Sequence, residues 1–168
     1  NRTDAQCVLA YLRDVRGLTD ETIRLAGLGY NPDWKRTEIQ KDDGKNAYLA
    51  PGIVMPYLIN GAIWALRVRT PVGNLATFLE QPEALGQEKT PLSKYINLAG
   101  SKVSGTLYGA DRLTDDQPVV MVEGEFDALW AGQVLGERFT VCTLGGASNK
   151  IAPRWQKRIA RAPGIYLA

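Results

Sequence analysis

One stretch constrains the fold of this chain more than any other: Val119-Val120-Met121-Val122, followed at once by Glu123-Gly124-Glu125-Phe126-Asp127-Ala128-Leu129. An apolar run without alternation predicts a strand buried on both faces. It stops abruptly at Glu123-Gly124, where a helical pattern begins. Glu123 and Asp127 therefore belong to the carboxyl end of a buried strand and the first turn of the next helix, the place where open α/β sheets bind ligands. The pattern then continues as β-α-β-α-β. Phe126, Leu129, Trp130 and Val134 mark the apolar face of the first helix, which Gly136 ends. Phe139–Leu144 is a second strand, closed by Gly145-Gly146. A second helix begins near Pro153, with Ile151, Trp155 and Ile159 one above another, and Gly164–Ala168 is a third strand. Helices alternating with short apolar strands predict a parallel sheet with right-handed crossovers.

The upstream chain has a different texture. Thr3-Asp4-Ala5-Gln6 has capping-box spacing, and Val8, Leu9, Leu12 and Val15 share a helical face that ends at Gly17. Thr19 caps a second helix, with Asp20 and Glu21 in its first turn, Leu18 and Ile23 at staple positions, and Gly27 and Gly29 closing it. The polar stretch 31–50 is expected to be loop with at most one short strand. Ile53–Ile59 and Ala62–Arg69, joined by Asn60-Gly61, carry the strongest hairpin signal in the chain. Alternation along the return strand groups Ile63, Ala65, Arg67 and Arg69 on one face, and Trp64, Leu66 and Val68 on the other. Two arginines on one face suit an anionic ligand or simply a solvated surface. Residues 71–93 form a long, breaker-rich connection, Lys94-Tyr95-Ile96-Asn97 a short strand, and 100–105 a flexible loop in which Lys102 could approach a phosphate. The polar linker 114–118 separates residues 1–116, an α+β subdomain, from residues 117–168, the partial βαβαβ sheet. The fold class is thus α/β.

Composition narrows the chemistry. At 168 residues, 45% hydrophobic and 23% charged, the chain has the profile of a soluble globular protein, expected in the cytoplasm. No apolar run approaches the roughly 20 residues that cross a bilayer, and Asn1–Asp4 do not resemble a signal peptide. No membrane partner is expected. The net charge of +2, from 20 basic and 18 acidic side chains, says nothing decisive about nucleic acid. Cys7 and Cys142, far apart in apolar segments, read as free thiols. There is no histidine, which removes Cys/His zinc sites, Ser-His-Asp triads and histidine bases together. Chemistry must then run on carboxylates, lysines, arginines and metal ions. Glu123 and Asp127, with a glycine between them for the sharp turn, suit Mg²⁺; equally, either carboxylate could cap helix N–H groups. The second helix of the sheet carries Lys150, Arg154, Lys157, Arg158 and Arg161 without an acid among them, which is either a solvated face or a phosphate-facing one.

The residues also resemble a family. Val119–Asp127, the helix after it and Thr143-Leu144-Gly145-Gly146 are similar to the first half of a Toprim domain, shared by bacterial primases, topoisomerases and some nucleases. Tyr11-Leu12, Arg16-Gly17-Leu18-Thr19, Leu28-Gly29-Tyr30, Val54-Met55-Pro56 and the hairpin strand bearing Arg67 resemble the opening of the bacterial, DnaG-type primase catalytic core. Lys94-Tyr95-Ile96-Asn97 is similar to that family's Lys-Tyr-Leu-Asn motif and Leu107-Tyr108-Gly109 to its Leu-Tyr-Gly. The resemblance runs in order over nearly the whole chain. It implies a core that makes short RNA primers on a single-stranded DNA template from nucleoside triphosphates with Mg²⁺ or Mn²⁺, in DNA replication alongside a replicative helicase. Glu123 would be the catalytic acid on or near a metal and Asp127 a second acid of the cluster. Arg67, Lys94, Tyr95 and Asn97, with Arg69 beside Arg67 and with Lys102 nearby, would bind nucleotide or template.

Departures accompany the likeness. The family's arginine before Met-Phe-Pro falls at Gly52, that before Leu-Tyr-Gly at Gly105, and Ser-Pro-Glu-Thr is replaced by Leu98-Ala99-Gly100-Ser101. These point to a divergent primase, of phage or mobile-element type. The family's Asp-x-Asp metal motif is expected directly after Ala168, and its zinc module upstream of Asn1. The sequence therefore reads as an inactive fragment with no zinc of its own. Two alternatives stay open: a Toprim nuclease, and a non-catalytic module that binds single-stranded nucleic acid.

Overall fold

A computed structural model describes residues 4–41, 43–72, 93–101, 103 and 105–168. It divides into two compact units, Asn1–Pro56 with Leu66–Ser101, and Tyr57–Ala65 with Lys102–Ala168. The division expected at 116/117 is thus drawn earlier, near residue 101, and the hairpin tip joins the second unit. The earlier boundary has a cause in the chain. Tyr108 N–H and C=O pair with Thr143 at 2.9 and 3.2 Å, which fastens the segment before the linker to the strand 140–143.

In the first unit, helix α1 (Asp4–Ala10) runs on as a π-helical turn, Tyr11–Val15, and buries Val8, Tyr11 and Leu12. Thr3, the expected cap, lies outside the described residues. Helix α2 (Asp20–Leu25) starts as its sequence requires, with Thr19 Oγ1 accepting the Thr22 N–H. Gly29 opens a strand instead of closing that helix. A four-stranded antiparallel sheet follows in the order β1 (Gly29–Asn31), β4 (Gly52–Ile59), β5 (Ala62–Arg69), β6 (Tyr95–Asn97). The β4–β5 turn is Asn60-Gly61, with φ of 53° and 73°, as a two-residue hairpin demands. The expectation for 31–50 is overturned: the segment holds two strands, β2 (Lys35–Gln40) and β3 (Asn46–Leu49), paired in a sheet of their own. Every β2 side chain except Thr37 is exposed, so no apolar alternation marks the strand. Polar bonds hold it instead: Thr37 Oγ1 to Ala47 O at 2.9 Å and Asn46 Nδ2 to Thr37 O at 2.6 Å.

The second unit contains the parallel sheet. Strand β7 (Val119–Val122) lies between β8 (Thr140–Thr143) and β9 (Ile165–Leu167), both parallel to it. Helix α3 (Glu125–Leu135) joins β7 to β8, and α4 (Pro153–Ile159) joins β8 to β9. Leu107, Leu113, Val119, Cys142 and Ile159 form one core cluster. Both cysteines are free. The expected apolar face of α3 is only half realised: Phe126 and Leu129 are buried, but Trp130 and Val134 are 51% and 56% exposed. The helix is held by its first turn, where Glu125, Phe126, Ala128 and Leu129 are all buried. No helix among the described residues is long and apolar enough to cross a membrane.

Candidate functional site

The two predicted constellations lie in different units. In the second unit, Glu123 follows β7 directly, Gly124 caps α3 in extended conformation, and Asp127 sits in the first helical turn. Both carboxylates are exposed. A Cβ built on Gly124 would lie 3.0 Å from Asp127 Oδ2, so the Asp127 carboxylate folds back over the glycine toward the strand end. The residue between the two acids explains why they are presented to solvent. Glu125 is 1% exposed, and Tyr57 Oη donates to its Oε1 at 2.5 Å. Tyr108 stands edge-on to Tyr57, with centroids 5.0 Å apart, and burial pushes the Tyr108 phenol well above its ordinary pKa.

Thr143 fixes the other side of the strand end. Its Oγ1 donates to Glu123 O at 2.7 Å and accepts from Gly145 N at 2.9 Å, tying the ends of β7 and β8 together. Beside Glu123 lies a cavity of about 710 Å³, walled by Leu144, Ile151, Ile159, Ile165 and Leu167. Among the described residues Glu123 is the acidic side chain on its wall. Among the described residues no three Asp, Glu or Cys side chains gather into a metal-holding group. The donors that are present, two solvent-facing carboxylates, fit a hard divalent ion that fills the rest of its shell with water or phosphate.

In the first unit, β6 pairs with β5 so that Arg67 faces Asn97 and Arg69 faces Tyr95 in register. The cations gather on the Tyr95 ring: Arg67 Cζ at 4.6 Å, Arg69 Cζ at 5.7 Å and Lys94 Nζ at 5.9 Å from its centroid. The five residues of this cluster differ in access. Lys94 and Asn97 are exposed, Arg67 and Tyr95 half-buried, and Arg69 only 1% exposed. The Arg69 guanidinium donates to Thr70 O and to Val72 O, and burial lowers its pKa. Arg69 thus braces the chain leaving β5, and the side chains offered outward are Arg67, Lys94, Tyr95 and Asn97. Lys102 lies outside the described residues.

Two positions where the sequence departs from the resemblance also acquire reasons. A Cβ on Gly52 would stand 2.2 Å from Arg69 O, so β4 and β5 approach too closely for any side chain there, arginine included. Gly105 has φ of 76°, in the left-handed region that side chains rarely adopt, and its carbonyl accepts from Trp155 Nε1 at 2.9 Å and Arg154 Nη2 at 3.3 Å. Glu125, Tyr57 and Thr143 were not singled out by the sequence. For Glu125 a signal existed: it precedes Ala128 and Leu129 by three and four positions, which puts it on the buried face of α3.

The fold is that of a DnaG-type primase catalytic core. The chain superposes over 99% of its length on the DnaG primase catalytic domain bound to single-stranded DNA, with TM-score 0.64 and 18% identity, and on the DnaG catalytic core, with TM-score 0.66 and 17% identity. The RNA polymerase domain of the primase DnaG from Mycobacterium tuberculosis matches over the same share, with TM-score 0.66 and 16% identity. The chain spans 56%, 55% and 60% of those three structures. No family model and no curated protein matches the sequence.

Proposed function

We propose that this chain is part of the catalytic core of a DNA primase, an enzyme that joins nucleoside triphosphates into short RNA primers on a single-stranded DNA template. The observation that carries this reading is the match of almost the whole chain, both units in order, to a primase catalytic domain bound to single-stranded DNA. Because the chain covers little more than half of that domain, the activity is proposed for the whole protein.

Each unit then has a part. Arg67 and Lys94 attract the phosphates of template or nucleotide, and Tyr95 offers a ring for stacking. Arg67 is held against that ring, so it keeps its place without substrate. Glu123 and Asp127 would hold Mg²⁺ or Mn²⁺, which would supply charge neutralisation on a triphosphate. Thr143 and buried Glu125 position Glu123 by fixing the backbone on either side of it. The cavity beside Glu123 gives the base or sugar of a nucleotide an apolar wall.

The test is primer synthesis on single-stranded DNA by the full-length protein. Glu123→Ala should lower the rate about 100-fold or more with template affinity nearly unchanged. Arg67→Ala and Lys94→Ala should weaken template affinity, most at low salt. Primers made equally well by Glu123→Ala would sink the catalytic assignment, and unchanged affinity in both basic variants would remove the template role of the first unit.

A further inference from the structure

The second unit carries another surface that the primer-making reading does not use. Trp64, at the tip of the β4–β5 hairpin, is 43% exposed, and its neighbour Ile63 is 63% exposed. Arg154, exposed at the start of α4, lies with Cζ 5.6 Å from the Trp64 ring centroid and 4.9 Å from that of Trp155. Its guanidinium and the Trp155 indole both donate to the Gly105 carbonyl, which holds the arginine in place. The result is a fixed aromatic and guanidinium surface open to solvent.

The charge around it is predominantly basic. Lys157 and Arg158 stand three and four positions after Arg154, and Arg161 four and three after them, so the four cluster along one side of α4 and just past its end. Asp115 faces only the far end of this stripe, 3.1 Å from Arg158 and 3.8 Å from Arg161. Asp111, the acid nearest the hairpin turn, is occupied by the Gly61 N–H at 2.8 Å. Among the described residues Lys150, Arg154 and Lys157 make no ion pair.

We propose that Trp64 and Arg154 form a stacking platform for single-stranded DNA, with Lys150 and Lys157 taking the flanking phosphates. A flat ring beside a planar guanidinium matches the face of an unpaired base. A duplex keeps its bases stacked on each other and offers no such face. The unpaired cations then supply the salt-sensitive attraction to the backbone. The platform extends the nucleic-acid reading above to a second surface, in the other structural unit from the Tyr95 cluster, although Trp64 precedes Arg67 by three positions on β5.

The experiment measures binding of a fluorescein-labelled oligothymidine to the full-length protein, by anisotropy, across a series of salt concentrations. Trp64→Ala should weaken binding about tenfold, the scale of one lost base–aromatic stack, while Trp64→Phe retains most of it. Lys157→Gln should lower the slope of log affinity against log salt by about 0.7, the value for one phosphate contact on a single strand. An abasic strand of equal length should bind alike to wild type and Trp64→Ala. If Trp64→Ala binds oligothymidine as tightly as wild type, the platform is refuted. Loss in Arg67→Ala with none in Trp64→Ala removes the platform and leaves the proposed function standing. Loss in Trp64→Ala with none in Arg67→Ala or Lys94→Ala keeps the platform and removes the template role of the first unit. Binding of oligouridine but not oligothymidine would also overturn the proposal.

Discussion

The cation cluster of the first unit and the carboxylate pair of the second are built by opposite means. Around Tyr95, antiparallel strand pairing brings together side chains from β5 and β6 that are about 30 residues apart in sequence. At Glu123, a single strand end and the turn after it supply both acids within five residues, and a buried layer beneath them sets their direction. The first arrangement depends on how closely strands approach. The second depends on whether the turn is anchored. The two sites should therefore fail for different reasons.

The sharpest way to break the comparison is to add one carbon where backbones meet. Gly52→Ala would push Cβ to 2.2 Å from Arg69 O, at a φ of 134°. This should cost more than ~3 kcal/mol of stability, since neither strand can move without disturbing the sheet. Gly109→Ala meets Val141 O at 2.5 Å and should be comparably severe, but in the other unit. Denaturant unfolding of the two variants would show whether each loss stays local. Gly52→Ala should disturb the Tyr95 cluster, and Gly109→Ala the strand that carries Thr143. A midpoint unchanged in either would mean that its backbone contact is looser than described.

Removing the layer beneath the acids is the next largest change. Tyr57→Phe deletes one hydrogen bond to a buried carboxylate and should cost about 1–3 kcal/mol. Glu125→Gln keeps the shape and should cost less than Glu125→Ala, which also empties a space in the first turn of α3. Both Glu125 variants should lower primer synthesis through Glu123 without touching substrate. Template affinity at Arg67 should be unmoved. Equal stability of Tyr57→Phe and wild type would make the pair incidental.

These residues also mark where sequence reasoning ended. The β4–β5 hairpin, the parallel strands and the second-helix cap were legible because each rests on local chemistry: a turn pair, an apolar run, a threonine before acidic residues. Strands β2 and β3 were not, because exposed polar strands carry no period-two signal and are held by bonds between distant side chains. Trp130 and Val134 follow the helical period of α3 but fall outside the turn that is packed. Arg69 matched the alternation correctly yet proved to be buried, since periodicity gives a face and not the depth of what covers it. Spacing placed Glu123 at the strand end and Asp127 in the first helical turn, as the structure has them, but the buried Glu125 between them was passed over.

The smallest effect separates the two units by their thiols. Cys7 is half-buried in the first unit and Cys142 fully buried in the second. Burial pushes the Cys142 thiol up from 9.0 to about 12, so its reactive thiolate is scarce in the folded protein near neutral pH. Native labelling with a thiol reagent should modify Cys7 first, and Cys142 only as the second unit opens. The same shift has a sign for stability. Above pH 9 the unfolded chain releases the Cys142 proton while the folded chain retains it. The unfolded state then binds fewer protons, and stability falls as pH rises from about 9 toward 12. Tyr108, also raised by burial, steepens the upper part of that fall. Cys142→Ala should flatten the alkaline decline, with little change at pH 7 beyond a modest packing loss. Cys7→Ala should leave the slope alone. An alkaline slope identical in wild type and Cys142→Ala would mean that water reaches the thiol, and that the core under Gly109 is more open than its close backbone contacts imply.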